Sequence, residues 1–260
     1  MLRGLYTAHT GLRNEQNRMD ILTNNLANAS TVGFKKEGST SQPFREVLAV
    51  KIKDSSVGLG TIQPIGHSRL GVKIGENYTD YGQGPFRVTD NTYDLALSGS
   101  GFFALEYTDG EGETSTKYTR AGNFTLTQDG YLVNNDGMYV LDTQNRRIQL
   151  DTLTTDTKID DEGNIFQNER QVAQIQVADF EDYDYLEKFG DTFFQPVEGA
   201  TPIDGTGEVK SGVLEMANMS VISEMVNMIS VTRAYESNQK IVQTYDESLD
   251  IAVNQLGRIQ

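Results

Sequence analysis

The 260-residue chain contains no cysteine. That excludes disulfides, thiolate metal sites and cysteine nucleophiles at once, and suits a protein that works outside the cytoplasm without oxidative folding. Histidine is almost as scarce: neither His9 nor His67 has a second histidine at ligand spacing, which argues against zinc. Basic charge is in deficit, with 22 Lys and Arg against 37 acidic residues and a formal net charge of -15. A phosphate backbone needs a positive surface, so nucleic acid is not an expected partner. No stretch approaches the ~20 apolar residues of a membrane-spanning helix, so no membrane insertion is expected. The N-terminal MLRGLYTAHTGLRNEQNRMD has no continuous apolar run behind Arg3, and it does not read as a secretory signal peptide. The phosphate-loop pattern is missing. SGSGFF carries Gly99 and Gly101 but lacks the third glycine and the following helix of a dinucleotide loop, so it reads as a turn entering a strand. No cofactor, metal or catalytic residue is expected.

What is present is enough apolar material, 37% of the chain, to bury a core, and it is patterned in three ways. From Met1 to Ala27, Leu5, Leu12, Met19 and Leu26 recur every seven positions, with Met1, Ala8 and Leu22 in a second row. This is a heptad stripe on a helix. Gly4 and Gly11 each lower helix propensity by about 1 kcal/mol relative to Ala, so that helix needs a partner. The C-terminal segment repeats the signal through Val221, Met228, Tyr235, Val242, Leu249 and Leu256. No Pro or Gly interrupts Val213 to Leu256, which permits a single helix of about 60 Å.

The middle is different. From Tyr78 to Pro202, short β-branched and aromatic runs alternate with turn dipeptides, the pattern of an all-β domain. Phe102–Tyr107, Lys117–Thr119, Asn123–Thr127, Tyr131–Asn134, Met138–Leu141 and Gln171–Phe180 read as strands, with hairpin turns at Asp129-Gly130 and Asp136-Gly137. The expected class is α+β, with long N- and C-terminal helices forming a coiled-coil-like assembly domain around a central all-β domain. The division is 1–36 for the first helix and the loop after it, 37–77 for a partly structured linker with a short helical candidate at Phe44–Ile52, 78–205 for the β domain, and 213–260 for the second helix. Such stripes can close as an intramolecular hairpin. The β middle argues instead for helices that meet other copies.

The stretch TNNLANASTVGFKK, Thr23 to Lys36, then acquires a meaning. Asn25, Leu26, Ala27, Asn28, Thr31, Gly33 and Phe34 match the N-terminal signature of the flagellar rod and hook protein family. GQGPFRVTDNTYDLALSGSGFF, YTRAGNFTLTQDGYLVNNDGMYVL and EMVNMISVTRAYESNQKIVQTYDESLD match its central and C-terminal motifs. Length and central motif look most like the distal-rod member and its close proximal-rod relative; a hook-type axial subunit is the alternative. The resemblance implies a structural, non-enzymatic subunit of the basal-body rod. It would be exported unfolded by the flagellar type III apparatus without a cleaved signal peptide, and its terminal helices would order on assembly. Its implied partners are other copies of itself, neighbouring rod and hook subunits, and the rings around the rod.

The assembly interface is therefore expected at Leu5, Leu12, Met19, Leu22, Asn25, Leu26, Asn28, Gly33, Phe34, Met228, Tyr235, Val242, Leu249 and Leu256. Asn25 and Asn28 can alternatively cap the helix end, Gly33 can supply a backbone conformation closed to other residues, and Phe34 can anchor the turn. The acids Asp160, Asp161, Glu181, Asp182 and Asp184 admit a peptidoglycan-acting carboxylate hydrolase, and a helical stalk admits a β-domain adhesin. Solvated loop acids are the simpler reading.

Overall fold

A computed structural model describes residues 2–51, 63–152, 154 and 157–254. Two helices bracket the chain: α1, Leu2–Ala27, and α2, Val221–Asn254. The chain divides into two compact units. One combines residues 1–26, 37–79 and 221–260, and the other residues 27–36 and 80–220. This differs from the division read along the sequence, because the loop after α1 falls with the β strands and the segment expected as a linker falls with the helices.

In the helical unit, α1 and α2 meet side by side. The phenol of Tyr245 occupies the space a Cβ would need at Gly4, and Asn238 lies where a Cβ at Gly11 would be 3.0 Å from its Nδ2. The two contacts are seven residues apart on each helix and run in opposite senses, so the helices are antiparallel. On α1, Ala8, Asn14, Ile21 and Asn25 are buried; on α2, Glu224 and Val231 are. The 37–79 segment is a pair of hairpin ladders rather than a linker. Glu37–Pro43 pairs antiparallel with Val72–Thr79, and Val47–Lys51 with Gln63–Ser68. The helix expected at Phe44–Ile52 is thus extended from Val47 to Lys51, and Ile52 lies outside the described residues. Its apolar run is short, and a short run suits a strand as well as a helix.

The β unit is organised about the strand Phe102–Thr108. Successive side chains of a strand point to opposite faces, and here both faces are buried. Phe103 and Leu105 join Leu95, Leu97, Phe124, Leu132, Val140 and Ile165 in one cluster, while Phe102 and Ala104 join Tyr118, Leu141, Phe180 and Phe194 in another. That explains why FFAL is a continuous apolar run and not an alternating one. Burying each such Phe or Leu contributes about 1.5–3 kcal/mol. Thr114–Thr119 flanks the strand on one side, and Tyr139–Val140 and Val177–Phe180 pair on the other. Gly130 and Gly137 adopt φ of 82° and 81°, the left-handed conformation their Asp-Gly turns require. Gln171–Phe180 divides into Arg170–Gln174 and Val177–Phe180, which belong to different sheets.

The second helix starts later than its composition permits. Val213–Glu215 is a strand paired with Phe86–Val88, and α2 begins only at Val221. Nothing local forbids helix at 213; the partner strand is more than a hundred residues away in sequence, and this non-local pairing overrides the local propensity.

Candidate assembly surfaces

The loop between Ala27 and Glu37 is built from the residues of the signature motif and makes a set of contacts within its own protomer. Asn25, at the end of α1, brackets the backbone of Glu37. Its Nδ2 donates to the Glu37 carbonyl at 2.8 Å, and its Oδ1 accepts the Glu37 N–H at 2.9 Å. A polar strand, EGSTSQP, is thereby given its first hydrogen-bond partner by a side chain. Asn28 closes the turn that follows. Its carbonyl accepts Thr31 N–H at 3.1 Å and its Oδ1 accepts the Thr31 hydroxyl at 3.0 Å. Gly33 has φ 69° and passes so close to Arg120 and Ala121 that a Cβ would overlap their backbone. Its N–H donates to the Glu215 carbonyl at 2.8 Å. Phe34 is fully buried, with Lys188 Nζ 4.3 Å from its ring centroid.

Beneath this loop lies a buried ionic cluster that the sequence did not reveal. Lys35 Nζ donates to Glu215 Oε1 at 2.7 Å and to the Gly82 carbonyl at 2.9 Å. Arg120 Nη1 donates to Glu215 Oε2 at 3.3 Å, and its Nη2 to the Gly99 carbonyl at 2.7 Å. The Gly84 N–H also donates to Glu215 Oε1, at 2.8 Å. All three side chains are at most 4% exposed. Burial pushes the Lys35 amine below its ordinary value, against the pull of Glu215. Lys35 sits in the quoted signature and Arg120 in YTRAGNF, but no spacing rule links positions 35, 120 and 215.

The heptad residues lie on the helices, less completely covered. Leu5, Leu12, Met19, Leu22 and Leu26 on α1, and Met228, Tyr235 and Val242 on α2, are half-buried. Leu5, Tyr6 and Leu12 form a groove of about 660 Å³ with Leu70 and Val242. Leu26, Met228, Met225 and Ile229 line a second. Leu249 is 37% exposed, and Leu256 lies outside the described residues. The stripe seen in the sequence of α1 is therefore not its most buried line, which runs through Asn14, Ile21 and Asn25.

An adjoining row on α2, which shares Met225 and Ile229 with the second groove, is largely bare. Ile222, Met225, Val226 and Ile229 follow the i, i+3, i+4, i+7 spacing of one helix face, and all are at least half exposed, Ile222 at 77% and Val226 at 61%. An exposed apolar patch of this kind marks an interaction surface.

The acidic residues have local tasks. Asp182 accepts the Asp184 N–H at 3.0 Å to cap a short 3-10 turn, Asp160 accepts the Asp161 N–H at 2.8 Å, and Asp161 stands 3.8 Å from Lys210 Nζ. Among the described residues no three His, Asp or Glu side chains are grouped to hold a metal ion, and no helix is long and apolar enough to cross a membrane.

Comparison with known proteins assigns the same segments. Residues 5–35 match the family model of the flagella basal body rod protein, residues 96–167 that of the flagellar hook protein FlgE/F/G D1 domain, and residues 210–256 that of the flagellar basal body rod FlgEFG protein C-terminal. The flagellar basal-body rod protein FlgG of Bacillus subtilis is 33% identical over 98% of the chain and 99% of its own length. FlgG of Caulobacter vibrioides is likewise 33% identical, over the same shares. The flagellar basal-body rod protein FlgF of Caulobacter vibrioides is 30% identical over the full length of both.

Proposed function

Because the chain belongs to the family of flagellar basal-body rod proteins, we propose that it is a structural, non-enzymatic subunit of the flagellar rod that polymerises through its terminal helices into a torque-transmitting tube. The observation that carries this reading is the bare row Ile222, Met225, Val226 and Ile229, on a helix whose other side is already occupied by α1. A helix in a protomer that remained alone would gain nothing from two apolar faces. The inner face is a coiled-coil-like seam between α1 and α2, stepped at seven residues; the outer face, together with the half-covered Leu5, Leu12 and Leu26, meets other subunits. An outer face that meets a different patch on the next copy makes a heterologous contact, and heterologous contacts that do not close propagate as an open helix. Its partners on that face are other copies of itself and neighbouring rod and hook subunits. Passage through the flagellar export apparatus fits a chain without cysteine.

Electron microscopy and sedimentation of the concentrated protein test the reading. Concentration-dependent filaments or tubes are expected. A chain that stays monomeric at every concentration, alone and with rod subunits of the same cell, contradicts it.

A further inference from the structure

We propose that Glu215, among the described residues the one carboxylate bonded to both buried cations, locks the 27–36 loop onto the β unit, and that the loop detaches when this negative charge is lost. The proposal rests on the geometry of the β unit alone and is independent of how subunits assemble. Three segments far apart in the sequence each send one ionised side chain into the same buried space: Lys35 from the loop after α1, Arg120 from the turn after the strand Thr114–Thr119, and Glu215 from the end of Val213–Glu215. One residue comes from each of the three segments that match flagellar family models.

The charge count is what makes Glu215 special. Two cations share one carboxylate, so Lys35 or Arg120 can be lost and a pair remains, whereas loss of Glu215 leaves two like charges buried together. Asp80 attracts Lys35 and Asp179 attracts Arg120 from a distance, but neither bonds to them: Asp80 stands 3.3 Å from Lys36 Nζ and accepts the Gly82 N–H, and Asp179 accepts the Tyr183 hydroxyl at 2.7 Å. Breaking a buried pair by removing one partner is far more disruptive than replacing charges with apolar groups of similar volume. Glu215 also carries the backbone join, since its carbonyl accepts the Gly33 N–H at 2.8 Å and its Oε1 accepts the Gly84 N–H. Glu215 thus joins the loop to the β unit from a point 180 residues downstream of Lys35.

Amide hydrogen exchange at Gly33 in the full chain reads this directly, because that N–H is held by Glu215 itself. Glu215→Gln is expected to speed exchange at Gly33 about a hundredfold, as an unpaired buried charge opens the loop locally. Lys35→Met, which leaves the Arg120–Glu215 pair, is expected to change it no more than about threefold. The double variant Lys35→Met/Glu215→Gln is expected to recover at least about tenfold of the loss, because only one unpaired cation remains. If Glu215→Gln does not fold, recovery of a folded chain in the double variant supports the lock. The proposal is overturned if Lys35→Met opens the loop as much as Glu215→Gln, or if the double variant recovers neither protection nor folding. Shape or packing at position 215 would then be what matters, and not its charge.

Discussion

The phenol end of Tyr245 fills the space where a Cβ of Gly4 would be, seven residues in each helix from the place where Asn238 Nδ2 lies 3.0 Å from the Cβ position of Gly11. Glycine is the poorest helix former after proline, costing about 1 kcal/mol relative to Ala. Two of them in one helix are explained by what they admit: a bulky side chain of α2 at each step of the antiparallel pair. The register of the two helices follows from this match.

Gly4→Ala is accordingly expected to destabilise the helical unit, although Ala is the better helix former. The new methyl overlaps the Tyr245 ring, and overpacking costs about 1–3 kcal/mol. Tyr245→Leu should restore most of the loss in the double variant, giving a coupling of about 1 kcal/mol or more in a thermodynamic cycle. Thermal melts followed at 222 nm measure it. A stabilising Gly4→Ala would mean that the helices do not meet there.

The 37–79 segment should be removable. Asp80 N–H donates to the Lys36 carbonyl at 2.9 Å, so the two ends of the segment already adjoin within the β unit. A chain joining residues 27–36 to 80–220 through two or three glycines is expected to unfold cooperatively with β circular dichroism. A fragment of residues 37–212 is expected not to, because it lacks Gly33, Phe34, Lys35, Leu214 and Glu215, all of which are buried in the intact unit. Equal stability of the two fragments would contradict the contact division.

Much of this arrangement is legible in the sequence, and the parts that are not share a cause. Local signals sufficed for Phe102–Tyr107, for the Asp-Gly turns and for the existence of both helices, since a few neighbouring residues decide each. They failed at Val213–Glu215, which composition permits to be helical and which is a strand only because Phe86–Val88 pairs with it. They failed again at Glu37–Pro43, a polar run with no alternation, ordered by Asn25 and by pairing with Val72–Thr79. At the candidate site the sequence displays the signature residues but not their partners. Gly33 answers to Ala121 and Glu215, and Lys35 to Glu215, across separations that no periodicity reports.

Alkaline pH should weaken the β unit through Tyr183. Burial, reinforced by its hydrogen bond to Asp179, pushes the phenol from 10.0 up to about 12. The folded value lies above the unfolded one, so the contribution is full below pH 10 and is lost as pH rises toward about 12. Urea midpoints across this window should fall less steeply in Tyr183→Phe than in the parent chain. Parallel slopes would show that the phenol titrates normally.

In the proposed rod subunit α2 has an inner face for its own protomer and an outer face for other subunits, and Val226 and Val231 separate the two. Val231 is 2% exposed and Val226 is 61% exposed. Val231→Asp buries an unpaired carboxylate and should lower monomer stability by several kcal/mol, on the order of 3 or more. Val226→Asp should leave monomer stability within about 0.5 kcal/mol, as exposed substitutions do. The decisive measurement is electron microscopy of basal bodies isolated from cells whose only copy carries Val226→Asp, paired with the melt of the purified variant. An unchanged melt is expected, with basal bodies in which the rod is missing or truncated. Normal rods in those cells would contradict the proposed outer face, and so would a Val226→Asp monomer as unstable as Val231→Asp.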